Sequence, residues 1–83
     1  MTKEVEIRQT IQVTVDESKF TPEFMQSFRD SFFDFDSIEE HIEHLGRLHA
    51  GNFIDVSSFV EGYGYIREFG VNFEVVDYIA EIL

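Results

Sequence analysis

The chain has 83 residues, with 17 Asp plus Glu against 6 Lys plus Arg and a formal net charge of -11. That length holds one domain, for which a compact fold has a radius of gyration of roughly 12 Å. With a pI near 4.4 there is no basic patch from which counterion release could drive binding, which argues against direct contact with DNA, RNA or an anionic membrane. Charge does not imply disorder here, because 43% of the residues are hydrophobic and 10 are Phe, enough to form a core. The absence of Cys excludes disulfides, thiolate metal sites and a cysteine nucleophile together. The opening Met1–Glu6 alternates charged and apolar residues where a signal peptide needs an unbroken apolar run. The expected setting is therefore the cytoplasm.

From Val5 to Val15 the odd positions are Val5, Ile7, Gln9, Ile11, Val13 and Val15, and the even ones are polar. That period of two predicts a strand with one face buried and one wet. Asp16 to Phe20 reads as a turn. Thr21-Pro22-Glu23 is a helix start, with a hydroxyl at the cap, Pro where its missing N–H costs nothing, and an acid in the first turn. The first helix is expected from Pro22 to about Asp34, with Phe24, Met25, Phe28 and Phe32 as a core ridge. Phe33 falls outside the ridge, either packed on the second helix or exposed as an anchor.

Ser37 followed by Glu40 is the capping-box pattern of a second helix. Its inward face is Ile38, Ile42, Leu45 and His49, and Ala50-Gly51 is its expected stop. Asn52 to Glu61 and Val71 to Ile79 read as the two strands of a hairpin, interrupted by Gly62-Tyr63-Gly64-Tyr65. Residues 62–70 carry no pattern that decides their conformation. The expected fold class is α+β in the order strand, helix, helix, strand, strand, with an antiparallel sheet of about three strands and both helices on one face. The long first strand suits either pairing across a homodimer or an edge guarded by Glu4, Glu6 and Arg8.

No pattern in the sequence marks a catalyst. His41 and His44 stand three apart on the second helix, but Glu40-His41-Ile42-Glu43-His44 is not the zinc-protease arrangement. Ser57 and Ser58 lack a nucleophile elbow, and Gly62-Tyr63-Gly64 is too short for a phosphate loop. We therefore expect no enzyme activity, no metal and no cofactor.

Charge is distributed unevenly. Residues 1–29 carry five acids and four bases, whereas residues 30–83 carry twelve acids and two bases. Six acids, Asp30, Asp34, Asp36, Glu39, Glu40 and Glu43, occur between positions 30 and 43 without a Lys or Arg. Asp36 and Glu39 complement the positive end of the second helix, while Glu39 and Glu43, four apart, should repel. A row of carboxylates suits an Arg- and Lys-lined groove, which it approaches quickly through its field and grips through aromatic anchors.

In size, lack of Cys, charge excess and α+β organisation, the whole chain resembles the small acidic inhibitors of phages and mobile elements, including anti-CRISPR proteins and DNA mimics. The resemblance carries no diagnostic motif. It implies a non-enzymatic protein that binds a host nuclease or CRISPR complex and blocks its basic nucleic-acid groove, with the six acids as the partner-binding residues. The alternative is a homodimeric structural or regulatory module whose acidity serves solubility.

Overall fold

A computed structural model of the chain describes residues Met1–Leu83. Its elements are β1 (Val5–Thr14), a 3-10 turn (Glu17–Lys19), α1 (Pro22–Ser31), α2 (Ile38–Ala50), β2 (Phe59–Val60), β3 (Gly64–Tyr65) and β4 (Asn72–Ile82). The class is α+β, as the sequence implies. The pairing differs from expectation. β1 pairs antiparallel with β4, from Val5↔Ile82 at one end to Thr14↔Asn72 at the other, and β2 pairs only with β3. There are thus two separate two-stranded ribbons in place of one three-stranded sheet. The segment 52–58 that was expected to begin a strand is taken up by turns.

The helix caps follow the sequence closely. The Thr21 hydroxyl accepts from Phe24 N at 3.1 Å, and Pro22 opens α1. α1 stops at Ser31, three residues before the expected Asp34, because Phe32 leaves the helical region at φ -129° and ψ -87°. In α2, Ser37 Oγ accepts from Glu40 N, as the capping-box pattern predicts, while Glu40 Oε1 reaches one residue past the cap and accepts from Asp36 N at 3.1 Å. At its far end the left-handed residue is Asn52, at φ 60°, one position beyond the Gly51 stop.

Seven apolar residues form the core: Phe20, Met25, Phe28, Leu45, Tyr63, Ile66 and Val71. His41 is buried among them. The turn between β2 and β3 enters this core because Gly62, at φ 92°, brings its backbone onto the ring of Phe28, where a Cβ would lie 2.5 Å from Cε2. No side chain fits there. α2 packs on the base of the β1–β4 ribbon, with Gly46 over Val13 and the His49 ring stacked on Phe73 at 4.4 Å.

Beyond that base the ribbon leaves the body. The molecule measures 52 × 21 × 20 Å with a radius of gyration of 15.1 Å, against the roughly 12 Å of a compact chain of this length. The excess comes from the projecting part of the ribbon, where residues 1–10 and 74–83 are all exposed.

Candidate functional site

The acidic cluster gathers where α1 gives way to α2. Its frame is aromatic. Phe35 is half-buried, stacked on Phe28 at 5.6 Å and on Phe33 at 5.4 Å, and it meets the His41 ring edge-on at 5.0 Å. Arg29, the last base before the cluster, turns inward and donates from Nη1 to the Phe35 carbonyl at 3.2 Å. One base is thereby spent on closing the connection, and its charge is only half exposed.

The structure sorts the six acids by what each already does. Asp30 accepts from Gln26 Nε2 at 2.8 Å. Glu40 is half-buried and occupied by the capping box, to which Ser37 Oγ also donates at 3.4 Å. Glu43 pairs with Arg47 one turn later, which offsets the expected repulsion from Glu39. Asp34, Asp36 and Glu39 are exposed and make no side-chain hydrogen bond or ion pair. The cluster thus offers three free carboxylates and two, on Asp30 and Glu43, that are exposed but engaged by neighbours.

Between them stand two aromatic rings. Phe32 is 43% exposed and Phe33 is 51% exposed. Phe32 was expected in the core ridge; as the helix cap it is turned outward, with its ring 5.2 Å from Phe28. Phe33 meets both sequence-based alternatives at once, lying against Phe35 on one side and His44 at 5.0 Å on the other while half of its surface faces water.

The histidines are not arranged as metal ligands, and no group of three His, Cys, Asp or Glu side chains converges. His41 is fully buried, with Nδ1 hydrogen-bonded to the Tyr63 hydroxyl at 2.7 Å and Nε2 without a hydrogen-bond partner. His44 packs on Phe33 and Phe35. No local pattern announces the His41–Tyr63 bond, which spans 22 positions and depends on the tight turn at Gly62. The one surface cavity, about 170 Å³, is lined by Val56, Ser57, Tyr65, Arg67 and Glu68. Ser57 is there held by Asp55, to which its backbone N–H and its hydroxyl both donate, at 2.8 Å and 2.6 Å, as in a local turn.

No helix is long and apolar enough to cross a membrane. No protein-family model, curated protein or solved structure matches the chain.

Proposed function

We propose that this chain is a non-enzymatic inhibitor that uses the α1–α2 junction to occupy a basic, nucleic-acid-binding groove of a host nuclease or CRISPR complex. The observation that carries the reading is the pair of exposed rings, Phe32 and Phe33, set among exposed carboxylates in a connection of six residues. Charge alone would steer a partner without holding it, whereas aromatic residues that leave water on contact supply most of the energy of an interface. Asp34, Asp36 and Glu39 are free to meet Arg or Lys without first losing an internal partner. Asp30 and Glu43 widen the field, and Glu40 holds the loop in shape.

The test is capture from a host lysate with the wild type and with a variant carrying Asp34→Lys, Glu39→Lys and Glu43→Lys as baits. The triple variant is expected to fold, since all three positions are exposed, and to lose the partner, which duplex DNA should also displace from the wild type. A partner retained by the folded triple variant overturns the proposal. Phe33→Ala is expected to weaken the same complex by about tenfold or more.

A further inference from the structure

The projecting ribbon is two-faced. Residues paired across an antiparallel ladder lie on the same side of it, so the register divides its side chains. One face carries Val5, Ile82, Ile7, Ala80, Gln9 and Tyr78, and continues into Ile11, Val75, Val13 and Phe73 at the base. The other carries Glu6, Glu81, Arg8, Ile79, Thr10, Asp77, Gln12 and Glu74. Asp and Glu, Lys and Arg are all absent from the first face.

A β-bulge produces this separation. Thr10 pairs with Asp77 and Ile11 with Val75, leaving Val76 as the extra residue. Were Val76 part of the ladder, the odd positions of β4 would continue along one side and place Asp77 opposite Gln9 and Glu81 opposite Val5, on the same face as Ile7. With the bulge, the alternation of β4 flips, and those two acids join the charged face. A bulge re-aims side chains in this way at a local cost in pairing.

At the base, α2 covers the uncharged face. Farther out nothing does: Ile7 and Tyr78 are each 58% exposed and Ile82 is 71% exposed. A two-stranded ribbon with an open face is marginal in water and needs a further layer. The whole chain exposes 6008 Å², on the order of 900 Å² more than the surface scaling gives for a monomer of 9.7 kDa. That excess is close to the roughly 800 Å² per partner of a standard specific interface.

We propose that the distal β1–β4 ribbon is a dimerisation arm, its uncharged face packed against the same face of a second copy of this chain across a two-fold axis. The area matches what a stable dimer removes from water. The face has no charge with which to select a basic partner, and it meets its own kind without apposing carboxylates, since Glu6, Asp77 and Glu81 point outward from both ribbons. Two-fold pairing of identical patches is also the commonest closed assembly. The arm is distinct from the α1–α2 junction, so dimerisation and inhibition can fail separately.

The experiment is sedimentation velocity on the full chain at micromolar concentration. The wild type is expected at twice its monomer mass, with tighter association at high salt, because each copy carries -11 and screening reduces repulsion. A folded Ile7→Lys/Tyr78→Lys variant is expected to be monomeric, although its added positive charge lessens that repulsion. Ile79→Lys, on the charged face, should remain dimeric. A wild-type monomer, or a folded Ile7→Lys/Tyr78→Lys dimer, overturns the proposal. Should the double variant not fold, nitroxides on the outward Thr10→Cys of the Cys-free chain give an independent reading. Dipolar coupling with a narrow distance distribution supports the arm, and no coupling rejects it.

Discussion

His41 shows how one buried polar residue ties the body together. Its ring touches Phe20, Phe24, Phe28 and Phe35, and its one hydrogen bond reaches the Tyr63 hydroxyl, itself in the core. Removing that hydroxyl leaves a buried nitrogen unsatisfied, so Tyr63→Phe is expected to cost about 1–3 kcal/mol in denaturant unfolding. The same burial, with the nearby His44, holds the His41 imidazole below its ordinary 6.5. Burial and Arg47 act likewise on His44. Because the unfolded chain binds these protons more readily, the contribution is intact above about pH 6.5 and is lost as pH falls toward the lowered folded values. Thermal melts at about pH 7.5 and about pH 5.5 should show a larger drop for the wild type than for His41→Leu. Equal drops would count against the assignment. Gly62 is as constrained. Gly62→Ala adds a Cβ in a left-handed conformation against Phe28, and a loss of more than about 1 kcal/mol is expected.

At the scale of elements, local chemistry was legible and long-range pairing was not. Thr21-Pro22 and Ser37-x-x-Glu40 announce α1 and α2 because caps are satisfied within three or four residues. The alternation of Val5 to Val15 gives β1 for the same reason. No local pattern tells β4 to choose β1 over the nearer β2, since both strands offer apolar side chains, and the choice rests on a ribbon ten pairs long against one of two. The acidic cluster was legible as composition, but not the division of its labour. That Glu40 is a cap and Glu43 an ion-pair partner follows from helix geometry, whereas the outward turn of Phe32 follows from the early end of α1. Ser37→Ala should therefore lower stability by about 1 kcal/mol without changing the exposed carboxylates. Deleting Val76 should remove the bulge while keeping Asp77 opposite Thr10 and Glu81 opposite Glu6, so both faces are preserved and dimers should persist, read by sedimentation velocity beside circular dichroism of the folded body.

For the whole molecule, the net charge and the projecting arm pull in opposite directions. Only 8 of 83 residues are buried, so the body is a small core, and the net charge of -11 opposes self-association. Salt separates the two proposed interfaces. Binding of a basic groove at the α1–α2 junction should weaken as ionic strength rises, while arm-to-arm association strengthens, and titrations of both on one preparation would reveal a common trend if a single surface served both.

The pairing of the first strand with the last has a kinetic consequence. Leu83 N donates to the Glu4 carbonyl at 2.9 Å, so the outermost rung of the ribbon closes a loop of nearly the whole chain. The entropy of that closure falls due before any contact in the ribbon repays it, whereas the helices and the turn at Gly62 need only nearer partners. The body should form first and the ribbon zip outward from Thr14 and Asn72. Substitutions at Ile7 or Ile82 should then accelerate unfolding and leave the refolding rate almost unchanged, making the tip of the arm the last part to assemble and the first to open.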